Sequence, residues 1–287
     1  MSDGLRVVLI SFGVSGFRLL YETCVAAGHT PIAFVHARSV RQRSTTSNRS
    51  AETIADIGRA LPAGMDLLLP GTAGGLAKAL AGYRADIIVV YGFPWKLPRA
   101  ALRATRLGAI NVHTSMLPRY RGPIPVHWAV RNGDPETGVT IHWMDEEFDR
   151  GNILVRKGGI RIEDDLVTER LWRDLDRVIA ELLPAAIEAA AAGAEGEPQD
   201  EADASYAGWM EPDFMFVDWS RGAREIHNQV RAFRFGLFGQ RGPFAQIDGN
   251  WMTLLRTALA PANGSKMTCG DGSIWITEMA PAVPPDR

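Results

Sequence analysis

The chain has 287 residues, which suggests two domains or one large domain with an appendage. Its composition is ordinary for a globular protein, 46% hydrophobic and 22% charged, and a formal charge of −2 excludes a global basic field for gripping nucleic acid or an anionic membrane. No apolar run reaches the roughly 18 residues of a membrane span, and Cys24 and Cys269 are too few for a disulfide framework and lack metal-ligand spacing, so a soluble, cytoplasmic, metal-free protein is expected.

The N-terminal stretch MSDGLRVVLISF has neither a basic segment nor a cleavage site, and its apolar run over 6–12 reads as a first strand. Gly13 and Gly16 follow, then a helical pattern to about Ala27 that Gly28 stops, then a second strand over 32–36. This strand–helix–strand opening is typical of an α/β domain built on a buried, mostly parallel sheet. Further strands are expected at 86–91 and 109–113, with a helical stretch around 98–105 between them. Two more are expected at 139–144 and 153–162, joined by an acidic turn. Residues 165–192 read as a long helix, with Leu166, Leu171, Leu175, Val178, Ile179 and Leu182 at helical spacing and Pro184 as a point where it can kink.

Residues 193–204 (GAEGEPQDEADA) carry five acids and no base, a linker composition. The expected division is therefore a domain over 1–192, an acidic linker over 193–204 and a small domain over 205–287. The last stretch reads as a helix over 220–233 followed by short strands around 244–257 and 273–279, a small β-rich and OB-like domain.

Several weaker signals are read structurally. SFGVSGF after the first strand does not fit G-x-G-x-x-G, and the glycines are taken as permitting a tight turn. Ser11, Ser15 and Ser115 lie outside any G-x-S-x-G setting. His29, His36 and His142 show no ligand spacing and are expected to be structural. Residues 37–50 contain Arg38, Arg41, Arg43 and Arg49 and no acid, which suits either a solvated loop or contact with phosphate.

The stretch NVHTSMLPRYRGPIP over 111–125 carries a stronger signal. Asn111 and His113 alternate along a strand, so their side chains share a face. Downstream comes GVTIHWMDEEFDRG over 138–151, with Asp149 after an acidic turn. An amide that can hold an oxyanion, an imidazole that can move a proton and a carboxylate that sets the imidazole's state are the parts of an acyl transfer.

The pattern resembles the formyltransferases that use 10-formyltetrahydrofolate, whose hallmark runs N-x-H-x-S-L-L-P-x-Y/W-R-G, G-x-T, D-x-x-x-D-x-G. Here it is carried by Asn111, His113, Ser115, Leu117, Pro118, Tyr120, Arg121, Gly122, Gly138, Thr140, Asp145, Asp149 and Gly151, with Met116 in place of a leucine. The similarity is greatest to methionyl-tRNA formyltransferases and related sugar and amino-acid N-formyltransferases. The resemblance implies an open, mostly parallel Rossmann-like sheet. It also implies that Asn111, His113 and Asp149 are catalytic, with His113 held cationic by Asp149. By the same resemblance the folate lies against Phe93, Trp95, Lys96 and Leu97 and against Met144, Asp145, Glu146, Glu147 and Phe148. Ser115, Tyr120 and Arg121 are the corresponding candidates on the side of the amine substrate.

The acceptor remains open among three readings. Residues 205–287 hold eight basic and eight acidic residues, whereas a domain that grips tRNA should be clearly basic. A small amine, an amino sugar or an amino acid, is therefore preferred to tRNA. Water as acceptor, giving a formyltetrahydrofolate hydrolase, is the third reading, set back by the absence of an expected N-terminal regulatory domain.

Overall fold

A computed structural model describes residues 4–39, 42–43 and 46–283, and in it the alternation of the sequence becomes a seven-stranded sheet. In chain order the elements are β1 (Arg6–Ser11), α1 (Val14–Ala26), β2 (Thr30–Val35), α2 (Asn48–Ala60), β3 (Asp66–Leu68), α3 (Ala73–Leu80), β4 (Ile87–Tyr91), α4 (Arg99–Leu102), β5 (Gly108–His113), α5 (Pro125–Asn132), β6 (Glu136–Trp143), β7 (Ile153–Arg161) and α6 (Thr168–Ala191). The sheet order is β3-β2-β1-β4-β5-β6-β7. The pairs among β3, β2, β1, β4 and β5 are parallel, and β6 runs antiparallel to β5. The two middle strands are buried along almost their whole length, VVLIS of β1 and IIVV of β4, because helices cover both faces of such a sheet. The order reverses between β1 and β4, so the carboxyl ends of β1, β4 and β5 border the crevice where open α/β sheets take their ligands.

The helix expected over 165–192 is continuous over Thr168–Ala191 with Pro184 inside it. Helix α2 was not foreseen: it begins within the arginine-rich stretch 37–50, capped by Ser47, whose Oγ accepts from Ser50 N–H at 3.2 Å. Nearer its start that stretch is docked, since the Gln42 side chain accepts from Ala73 N–H at 2.9 Å and Arg43 N–H donates to Gly71 at 3.0 Å. Arg41, the other arginine of that loop, lies outside the described residues.

The chain clusters into two compact units, and their limits differ from the expected division. The first takes 1–123, 138–159 and 173–206; the second takes 124–137, 160–172 and 207–287. Helix α5 goes with the second unit because it packs on α7 (Ala223–Phe233), and Arg131 joins Glu211 at 2.5 Å while lying over the rings of Trp128 and Phe214. Strands β8 (Phe244–Ile247), β9 (Asn250–Ala258), β10 (Ser265–Cys269) and β11 (Gly272–Pro281) complete this unit as an antiparallel sheet in the order β10-β11-β9-β8. Four strands in an open order are described there, where an OB barrel would close five.

The acidic stretch 193–204, though mostly exposed, is part of the first unit. Glu197 bridges the backbone of Ile153 and pairs with Arg156 at 3.0 Å; Glu201 pairs with Arg121 at 2.9 Å and with Arg150 at 2.6 Å. Two of its five acids answer arginines far away in the chain, which composition within the stretch cannot reveal.

Candidate active site

Strand β5 delivers Asn111 and His113 to the carboxyl edge of the sheet, and the antiparallel register of β6 sets His142 opposite Asn111 and Thr140 opposite His113. Thr140 pins the turn that follows β5: its hydroxyl donates to the Ser115 carbonyl at 2.7 Å and accepts from Leu117 N–H at 3.2 Å. Asp149 approaches from the acidic turn between β6 and β7 with φ 55°, a left-handed backbone that Asp tolerates better than most residues. Gly151, two residues on, is required by close packing: a Cβ there would lie 1.9 Å from the Trp143 carbonyl oxygen.

These groups meet. Asp149 Oδ2 accepts from Gly122 N–H at 2.7 Å, and Oδ1 accepts from Asn111 Nδ2 at 3.2 Å. Asn111 Nδ2 also lies 3.2 Å from His142 Nε2. His142 Nδ1 is 2.7 Å from the Trp143 carbonyl, so Nδ1 carries the hydrogen and Nε2 is the acceptor. His113 Nε2 is 2.7 Å from the Tyr120 carbonyl and must donate to it. His113 Nδ1 faces Asp149 Oδ1 at 3.7 Å.

Electrostatics divides charge from neutrality. Burial pushes His113 below the ordinary imidazole value against the opposing pull of Asp149 and the Tyr120 carbonyl. Burial alone would raise the Asp149 carboxyl, but the His113 and His142 imidazoles and the Gly122 N–H outweigh it and hold Asp149 well below the usual carboxylate range. The Gly122 and Asn111 donors favour the carboxylate whatever the imidazoles carry. The balance keeps Asp149 ionised and makes the His113 cation harder to form than a free imidazole's, with Asp149 pulling the other way.

The expected folate-side residues split by burial. Loops 93–98 and 144–149 come together through Lys96 with Glu147 at 3.2 Å, Arg99 with Glu146 at 2.8 Å, and Lys96 over the Phe148 ring. Asp145 caps its own turn by accepting from Glu147 N–H at 2.7 Å. Phe93 and Met144 are partly buried against the core, and Phe148 is exposed. Trp95 and Leu97 are 5% and 3% exposed, buried among their neighbours.

The expected amine-side residues are turned inward. The Ser115 hydroxyl donates to the Arg119 carbonyl at 2.7 Å, Tyr120 is buried with φ 60°, and the Arg121 guanidinium is engaged by Gln199 and Glu201. They shape the site through the backbone. His142, expected to be merely structural, stands in contact with Asn111 and within 3.5 Å of Asp149. Its signal was its place two residues after Thr140 on one strand, but only the pairing of β6 with β5 decides what it faces.

Among the described residues no group of His, Cys, Asp and Glu is arranged to hold a metal ion, and no helix is long and apolar enough to cross a membrane.

Residues 7–187 match the formyl transferase family model. The chain is 35% identical over 215 residues to the methionyl-tRNA formyltransferase of Citrifermentans bemidjiense, covering 70% of this chain and 66% of that one. It is 42% identical over 171 residues to that of a Synechococcus strain, covering 57% and 52%. The chain thus spans less than two thirds of the length of these relatives. In three dimensions it resembles the N-formyltransferase from Helicobacter canadensis solved with folinic acid and dTDP-3-aminofucose, with TM-score 0.67 at 17% identity over 96% of this chain and all of that one. HypX from Aquifex aeolicus, solved with tetrahydrofolic acid, gives 0.65 at 19% over 96% and 44%. At such identities these two likenesses establish the fold.

Proposed function

The chain belongs to the formyl transferase family, and from that premise we propose that it moves a formyl group from 10-formyltetrahydrofolate to the amine of a small acceptor. The observation that carries the reading is the convergence of Asn111, His113 and an ionised Asp149 at the carboxyl edge of the sheet. The unprotonated acceptor amine attacks the formyl carbon. The Asn111 amide, whose two bonds at 3.2 Å are long, exchanges one for the developing oxyanion. As the new C–N bond forms, the amine loses a proton to His113 Nδ1 with Asp149 as relay, and Asp149 stabilises the imidazolium. The same proton passes to N10 as the bond from the formyl carbon to N10 breaks. The products are the N-formyl amine and tetrahydrofolate, with atoms and charge in balance.

The loops carrying Phe93 and Lys96 and carrying Met144 to Phe148 are proposed to hold the folate, with Phe148 as the exposed ring. Charge supports a small amine: the eight acids of residues 205–287 cancel their eight bases. The alternative, formylation of methionyl-tRNA, is favoured by the names of the related chains.

The experiment is turnover of 10-formyltetrahydrofolate by the purified protein with charged initiator tRNA and, beside it, a panel of amino sugars, including dTDP-3-aminofucose, and hydroxylated amino acids. The expected result is an N-formyl product from a small amine, with little loss between about 50 and 200 mM salt. Turnover of the tRNA alone, steeply suppressed by salt, would replace the small-amine reading. Failure to bind the folate would overturn the activity itself.

A further inference from the structure

Gln199 lies where the acidic segment crosses the turn that bears Asp149, and its side chain is used at both ends. Nε2 donates to the carbonyls of Asp149 and Gly151, each at 2.8 Å. Oε1 accepts from Arg121 Nε and Nη2 at 3.0 and 2.9 Å. The amide can sit only this way, since two carbonyls need the N–H end and a guanidinium needs the oxygen. Arg121 is 6% exposed and gives further hydrogens to Glu201 at 3.0 and 2.9 Å.

One amide therefore joins two turns. The turn at 120–122 supplies the carbonyl that fixes the His113 tautomer and the N–H that holds the Asp149 carboxylate. The turn at 149–151 supplies the carboxylate itself. Each contains a non-glycine residue in the left-handed region, Tyr120 at φ 60° and Asp149 at φ 55°, a conformation that persists only where its surroundings hold it. Backbone bonds strengthen one side of the tie: Arg121 N–H donates to the Ser205 carbonyl at 2.9 Å, and Tyr120 N–H donates to Ser205 Oγ at 2.9 Å. On the other side Gln199 is the group from this segment that grips the backbone at Asp149 itself.

We propose that Gln199 is a positioning residue that holds Asp149 in register with His113 by clamping the 149–151 turn to the 120–122 turn. The inference rests on the catalytic reading of Asn111, His113 and Asp149 given above. It acts through the Asp149 and Gly151 carbonyls and the Arg121 guanidinium, so it leaves folate affinity aside and bears on the reacting groups.

Two variants separate its functions. Gln199→Met keeps the length of the side chain and removes both ends of the clamp. Gln199→Glu keeps an acceptor for Arg121 but sets an oxygen against the Asp149 and Gly151 carbonyls. The first measurement needs no substrate: amide exchange at Gly122 and the imidazole nitrogen shifts of His113, by NMR on the full chain. Both variants are expected to speed Gly122 exchange by about tenfold or more and to mix the His113 tautomers. Turnover of 10-formyltetrahydrofolate with the acceptor found productive is expected to fall ~10- to 100-fold, as for other groups that orient a reacting side chain. The KM for the folate should stay within about twofold, because the clamp touches no residue of the folate-side loops except the Asp149 carbonyl. If Gln199→Met fails to fold, Gln199→Glu carries the test alone. Wild-type Gly122 exchange, His113 shifts and turnover in Gln199→Glu would overturn the proposal and leave Gln199 as a tether for Arg121. That failure differs from failure of the catalytic reading, which would show as full turnover in Asp149→Asn whatever the Gln199 variants do.

Discussion

Besides His36, four histidines of this protein are wholly or largely buried, two in each unit, and they differ in what faces them. In the first unit His113 and His142 each give one ring hydrogen to a backbone carbonyl, and each turns its other nitrogen toward Asp149 or Asn111. In the second unit His127 Nδ1 and His227 Nε2 find no hydrogen-bond partner among the described residues. His127 lies against the Phe235 ring, and burial pushes it down to about 4. His227 is likewise pushed to about 4, by burial and then by Arg231, although its Nδ1 meets Thr257 Oγ1 at 2.9 Å. Burial lowers the proton affinity of His113, His127 and His227 alike; a facing carboxylate with its own donors is what makes a buried imidazole ready to accept a proton. The difference between packing and chemistry here lies in the second nitrogen.

The comparison is sharpened most by removing the charge that one pair has and the other lacks. Asp149→Asn is expected to fold normally and to reduce kcat by about 100- to 1000-fold, because the imidazolium formed at His113 would lose its counter-charge. Steady-state kinetics with 10-formyltetrahydrofolate and a productive acceptor checks this, and near-wild-type turnover would remove Asp149 from the mechanism.

A smaller effect is expected from exchanging histidines between the two classes. His142→Phe frees the Asn111 amide from one of its two acceptors, so kcat should fall roughly 10- to 100-fold, as when a group that orients a reacting side chain is lost. His127→Phe should leave kcat within about twofold, since its ring contacts are aromatic. Equal losses in the two variants would break the distinction.

The smallest effect is in the pH dependence, where the two units should diverge. Turnover needs a neutral His113, whose value lies below 6.5, and an Asp149 that stays ionised. Activity should therefore be flat near neutrality and decline only on the acid side of the ordinary imidazole value. Stability of the second unit follows the linkage of His127 and His227. Their folded values of about 4 lie below 6.5, so the unfolded chain binds more protons between those limits and stability rises with pH. That contribution is complete above about 6.5 and is lost as pH falls toward about 4. Thermal midpoints measured across this range should drop by about 5 °C or more on acidification, and His127→Phe should flatten the slope. An unchanged slope in that variant would mean that His127 titrates normally.

Much of the site was legible before any coordinates. Alternation put Asn111 and His113 on one face of a strand, and the spacing to Asp149 matched a family whose model covers residues 7–187. The sense of several other residues was not legible. Ser115, Tyr120 and Arg121 are candidates for the amine side by resemblance, yet their side chains turn inward to Arg119, the packed interior, Gln199 and Glu201. Trp95 and Leu97, expected by resemblance to touch the folate, are buried. The acidic stretch 193–204 has the composition of a linker because the partners of Glu197 and Glu201, namely Arg121, Arg150 and Arg156, lie 41 to 80 residues away.

The sequence by itself determined the elements of the parallel sheet and the identity of the residues at its carboxyl edge, because period-two alternation, buried apolar runs and glycine-marked turns are local properties. Tertiary structure alone decided which charges are real. The register of β5 against β6 brought His142 to Asn111, and the segment after α6 returned Gln199 to Asp149. Burial then lowered the proton affinity of His113, while His113, His142 and the Gly122 N–H held Asp149 below the usual carboxylate range. Protonation states depend on distance and solvent exclusion summed over residues remote in the chain, and no local pattern encodes that sum.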